Sequence, residues 1–204
     1  MIGRLLLVLA VITTTEGHSN YVPVEACVDM FPSGHQSEAQ TNESPYIISV
    51  SSTTYTRNSG IKIFVNATGA HSIDFFEGIL LQVRHAVGCN HRDVHKQVGT
   101  FKLENGEDFL SLMKCTNAED TIAHKAHAHI YNRTFTWIPP SDLTGPVYVK
   151  ATIARRQKTF WTNVHSEFIL DPSNKGIQPT TCAGTSPRLT VLVLMILPLL
   201  VFLS

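Results

Sequence analysis

Histidine and cysteine are the residue types in this chain with the richest chemistry: there are 10 of the first and 4 of the second among 204 residues. The run His124-Lys-Ala-His-Ala-His129 is the densest cluster. In an extended segment His127 and His129 share a face, close enough to share a metal ion, and Glu119 or Asp120 offers the carboxylate that commonly orients such a site. His91 and His95 would share a face if their segment were helical. Scattered histidines are also ordinary in the polar loops of secreted proteins, and this plainer reading is the one adopted. No metal or cofactor is assigned, and His124, His127 and His129 remain the weak metal candidates. Nucleophile and phosphate motifs are missing: there is no G-x-S-x-G, no H-E-x-x-H and no Gly-rich phosphate loop. No catalytic residue is assigned, and the expectation is a protein that is not an enzyme.

The cysteines, Cys27, Cys89, Cys115 and Cys182, include no C-x-x-C pair of the kind zinc prefers. They belong to a chain whose first residues read as an export signal. A basic start through Arg4, an apolar run from Leu5 to Ile12 and small residues at Thr15 and Gly17 make residues 1–17 a secretory signal peptide. An oxidising destination predicts at least one disulfide. Three sequons, at Asn42, Asn66 and Asn132, fit the same route as glycosylation sites, with Pro45 weakening the first.

At the other end, residues 189–204 are almost purely apolar and no cation follows them, whereas a stop-transfer helix is normally followed by cytoplasmic Lys or Arg. Residues 173–188 form a polar spacer before this tail. Small residues, a polar spacer and a terminal apolar tail are the pattern of a glycosylphosphatidylinositol signal, with a simple membrane anchor as the alternative. Ser173 or Asn174 leaves the spacer of more usual length and is preferred as the attachment site, while Cys182-Ala183-Gly184 competes with smaller residues. The expected location is the cell surface, reached through the secretory pathway, with release as a secreted form the alternative. Acidic and basic residues balance at 16 each, so nothing in the charge calls for nucleic acid.

Between these ends, residues 18–172 form one domain of sufficient size for a proper core. Its elements must be strands. Phe76 to Arg84 reads as a central strand, with Ile79, Leu81 and Val83 on one side and Phe76, Leu80 and Gln82 on the other, paired on both edges and packed on a second sheet. Tyr46 to Val50, Ile61 to Asn66, Val98 to Phe101, Phe109 to Met113, Thr121 to His124, Ile130 to Trp137, Pro146 to Ala154 and His165 to Leu170 are further strand candidates separated by turn residues. Asn66 falls on the wet face with Lys62, and Asn132 with Thr134 and Thr136, while Phe135, Trp137 and Trp161 belong to the core. Many short strands without a helical period describe an all-β chain, a single antiparallel β-sandwich.

Several motifs, taken in order, resemble one family. Cys27-Val-Asp-Met-x-Pro32, Ser44-Pro45-Tyr46-Ile, Phe76-Glu-Gly-Ile-Leu-Leu-Gln-Val-Arg84, Gly99-Thr-Phe101, Cys115, Phe135-Thr-Trp-Ile-Pro-Pro140, Gly145-x-Val-x-Val-x-Ala-Thr152 and Phe160-Trp161 are similar to the reeler (reelin N-terminal) domain, over roughly 27–170. The resemblance implies an immunoglobulin-like sandwich and a disulfide between Cys27 and Cys115, which on the chain-entropy view contributes about 4 kcal/mol. The family's second, later bridge is not reproduced. Cys89 and Cys182 can pair only if the anchor attaches at or after Cys182. Reeler domains occur in matrix proteins, in ferric-chelate-reductase-like membrane proteins and as stand-alone invertebrate defence proteins, and this chain is most similar to the last group. The implied function is a non-enzymatic recognition or adhesion module displayed at the cell surface, in innate defence, whose ligand is an extracellular protein, glycan or microbial surface. The alternative is an extracellular accessory of iron or copper handling, which the histidines would serve.

Overall fold

The computed structural model describes residues 21–68, 74–104, 106–174 and 176–182. The signal-peptide reading, residues 183–188 of the spacer and the apolar tail lie outside them. Two 3-10 turns, Val24–Cys27 and Ser33–His35, precede nine strands. These are β1 (Tyr46–Val50), β2 (Ile61–Ala67), β3 (Gly78–His85), β4 (Thr100–Lys102), β5 (Leu110–Met113), β6 (Thr121–His124), β7 (Asn132–Ile138), β8 (Val147–Arg156) and β9 (Thr159–Ile169). They form a four-stranded sheet in the order β1-β2-β7-β4 and a five-stranded sheet in the order β5-β6-β3-β8-β9, with every named pair antiparallel.

Alternation decides which residues meet between the sheets. Ile61, Ile63 and Val65 of β2 and Phe135 and Trp137 of β7 face Ile79, Leu81 and Val83 of β3 and Val147, Val149, Ala151 and Ile153 of β8 in one continuous core. Trp137 anchors it, donating its indole N–H to the Val98 carbonyl at 2.7 Å. Gly99, next to that carbonyl, has φ 75°, and a β-carbon there would lie 2.4 Å from both the Ile138 carbonyl oxygen and the Trp137 indole nitrogen. Only glycine fits this approach.

The central strand is placed as its pattern requires, with β6 on one edge and β8 on the other. One detail differs. Phe76 pairs with Ile130 through an isolated bridge ahead of β3 and enters the main core, because the bend at Glu77 breaks the parity that would have set it beside Leu80. Strand limits also shift. Ordered pairing begins at Thr100 rather than Val98 and at Asn132 rather than Ile130, and β9 starts at Thr159, well before His165. The segment around His91 and His95 is a series of turns, not a helix, so its histidines do not share a helical face.

Candidate recognition site

The two outer faces of the sandwich are built differently. On the four-stranded sheet, Lys62 and Asn66 of β2 are exposed, and Asn66 stands directly opposite the exposed Asn132 of β7. Both sequon side chains therefore stand in solvent on one face, and Asn42 is exposed in the loop before β1. On the five-stranded sheet, the outer face of β3 and β8 is covered by the N-terminal segment 21–36.

Arg84 holds that segment down. It is 1 % exposed and donates from Nη2 to the carbonyls of Cys27 at 2.7 Å and Val28 at 3.2 Å, from Nη1 to Val94 at 3.3 Å, and from Nε to Gln82 Oε1 at 2.8 Å. Gln82 and Gln97 also donate to the Cys27 carbonyl, at 3.3 and 3.0 Å, and Thr152 donates to the Met30 carbonyl at 2.6 Å. A buried cation demands such compensation. Burial lowers the Arg84 pKa to about 10, against the opposing pull of Tyr148 and Asp120, so the guanidinium stays charged at neutral pH. Cys27 and Cys115 are bonded, across 88 residues of sequence. Asp120, fully buried, accepts from the backbone N–H of Cys115 at 2.9 Å and Thr116 at 2.7 Å and so fixes the far end of the bridge.

A second bridge joins Cys89 to Cys182. Backbone bonds from Gly88 to Thr180 and from Thr180 to Ala86, both 3.0 Å, lay the segment read as spacer against the loop after β3. The body of the domain thus continues past residue 172. Ser173 is engaged too: its N–H and hydroxyl both donate to Asp171 Oδ1, at 2.9 and 2.6 Å. Burial would raise the Asp171 pKa, but hydrogen bonds from Ser173, Gly145 and Tyr55 prevail and bring it to about 2.

The three metal candidates are dispersed. His124 sits half-buried at the end of β6 with Nδ1 3.4 Å from the Ile79 carbonyl, and burial lowers its pKa. His127 is exposed. His129 instead bonds Glu77 Oε1 at 3.1 Å through Nε2 and stacks on Phe75, with ring centroids 3.8 Å apart and planes at 18°. Among the described residues no three His, Cys, Asp or Glu side chains gather as a metal site.

The His129 stack belongs to a cluster at one end of the sandwich. Phe75, in the lead-in to β3, also lies beneath the guanidiniums of Arg155 and Arg156 at the end of β8, whose central carbons are 5.5 and 5.8 Å from its centroid. Tyr131, 48 % exposed just ahead of β7, meets Phe75 edge-on at 6.5 Å. Asp74 faces Arg155 at 3.9 Å, whereas Arg156 makes no ion pair among the described residues. The exposed Lys158 follows in the β8–β9 hairpin. The result is a platform with surplus positive charge built around Phe75, which is itself buried, so that Tyr131 is the ring left exposed to stack on a sugar and the cations attract anions. Periodicity could not reveal it, because Phe75 stands outside a strand and its partners come from the segment ahead of β7 and the end of β8. The visible signal was the pair Arg155-Arg156 closing a largely apolar strand.

Fold and faces together define a disulfide-bridged antiparallel β-sandwich with one outer face open and the other covered. A Reeler domain model matches residues 25–176. The chain belongs to the Reeler domain family. It is 32 % identical over 165 residues to "Putative defense protein" of Bombyx mori, covering 78 % of this chain and 90 % of that one. It is 34 % identical over 153 residues to "Putative defense protein Hdd11" of Hyphantria cunea, covering 74 % and 86 %. The human F-spondin reeler domain superposes with a TM-score of 0.52 at 16 % identity, over 67 % of this chain and 95 % of that domain, a likeness of fold. A match to "Putative ferric-chelate reductase 1 homolog" of Drosophila melanogaster, 29 % identical, spans 22 % of that protein. With the histidines dispersed, it lends the metal-handling alternative no weight.

Proposed function

We propose that this chain is a non-enzymatic recognition protein of innate defence, displayed at the cell surface, which binds anionic polymers of microbial envelopes through the Phe75 platform. The observation that carries this reading is Arg156, an exposed guanidinium without an ion pair among the described residues, over the same Phe75 ring that the exposed Tyr131 meets edge-on. Cation and ring together suit phosphate- or carboxylate-bearing sugars. The names of the moth relatives support the process. Export and glycosylation at Asn66 and Asn132, with Asn42, would leave sugar on the outer face of the four-stranded sheet, with Asn132 directly after Tyr131. The contacts of Thr180 and Cys182 favour anchor attachment at Cys182 or after it over Ser173 and Asn174, since cleavage at the earlier sites would leave Cys89 unpaired.

Pull-down on whole bacteria tests the reading. The double variant Tyr131→Ala/Arg156→Ala is expected to bind about tenfold more weakly than wild type, and wild-type binding to weaken as salt rises. Unchanged binding by the folded double variant would move the contact elsewhere.

A further inference from the structure

Under the N-terminal segment lies a cavity of about 60 Å³, walled by that segment on one side and by the outer face of the five-stranded sheet on the other. Ala26, Met30, Leu80 and Ala154 give it an apolar lining. On the scale that one water needs, this is room for about four to six water-sized groups. Two imidazoles interrupt the apolar wall, His35 and His124. His35 packs edge-on against Phe160, with ring centroids 5.3 Å apart, and hydrogen-bonds the Gln157 backbone. Its Nδ1 is buried and has no partner. A ring that donates to a backbone carbonyl through Nε2 is left with an acceptor lone pair at Nδ1. Burial lowers the pKa of both histidines and keeps both rings neutral at physiological pH. A buried acceptor without a donor is costly, and an apolar cavity with a single unmet polar group is the usual form of a small-molecule site.

We infer that this cavity binds an uncharged small molecule with an apolar body and one hydroxyl donor, the body packing between Met30, Leu80 and Ala154 and the hydroxyl donating to His35 Nδ1. The neutral rings and the absence, among the described residues, of a lining carboxylate or cation disfavour a charged head group. Gly78 keeps the floor open: a β-carbon there would come within 3.2 Å of the Ala154 methyl and 3.4 Å of the His124 ring. The segment that roofs the cavity is the one clamped by Arg84, so the site is preformed. It is separate from the Phe75 platform and does not depend on it.

1-Butanol and pentane have nearly the same shape, are small enough for this cavity and differ in the donor, which makes them the discriminating probes. Calorimetric titration of protein purified from animal cells expressing the full chain is expected to show 1-butanol binding about fivefold more tightly than pentane. In His35→Phe, which keeps the edge contact with Phe160 and removes the acceptor, the two are expected to bind equally. In Ala154→Leu, which fills the cavity from the sheet, neither is expected to bind, and thermal melting verifies that both variants are folded. No heat with either probe in wild type, equal binding of the two in wild type, or an undiminished preference in folded His35→Phe would each overturn the inference.

Discussion

The two outer faces of the sandwich start from similar strands and end in opposite states. In β2 the burial alternates, with Ile61, Ile63 and Val65 inward and Lys62 and Asn66 in water. In β3 every residue from Gly78 to Arg84 is buried. The difference is not hydrophobicity, since the second face of β3 carries Gln82 and Arg84. It is the N-terminal segment, which brings carbonyl oxygens to groups that would otherwise face water. A polar outer face is thereby made interior at the cost of desolvating a guanidinium, and the cavity beside it is the space the segment fails to fill.

Substitutions on the two faces are expected to separate sharply. Arg84→Ala leaves the Val28 and Val94 carbonyls without their donor and is expected to destabilise by about 3 kcal/mol, read as a fall in denaturant midpoint at unchanged slope. Acidification is expected to act next. His35, His85 and His124 all have pKa values lowered by burial, so the unfolded chain binds more protons than the folded one below the ordinary histidine range. Their contribution is present above about pH 6.5 and lost as pH falls through the lowered folded values. Melting temperature should therefore decline between neutrality and pH 5, and His124→Phe should flatten that decline. Asp171 acts in a separate, lower window, its contribution fading as pH drops below the usual carboxylate range towards about 2. The smallest effect belongs to the open face: Asn66→Gln with Asn132→Gln is expected to change folding stability by less than about 0.5 kcal/mol, measured on enzymatically deglycosylated protein.

The contrast also shows what a sequence can carry. Period-two alternation is local, so β2, β3, β7 and β8 could be read directly, and so could the burial of Trp137 and Trp161. The covering of β3 could not, because residues 21–36 have no periodicity and Arg84 meets the Cys27 carbonyl 57 positions away. Ordered motifs supplied the pairing of Cys27 with Cys115 by resemblance. The companion pair had no such precedent, and its partners meet because Thr180 adds a short backbone ladder beside Gly88. Phe75 lies just outside the strand candidate that begins at Phe76, where alternation carries no information. The histidine run drew attention for metal chemistry, yet its members diverge, His124 into a cavity wall and His129 onto a ring.

The central claim, that Arg84 seals the N-terminal segment onto the five-stranded sheet, is tested most directly by hydrogen exchange of backbone amides in wild type and Arg84→Ala. The N–H of Ala26 and Met30 bond Pro23 and Ala26 within the segment, at 3.1 and 2.9 Å. In the variant, these amides are expected to lose protection while those of β2 and β7 keep theirs. Equal protection of Ala26 and Met30 in both proteins would contradict the claim.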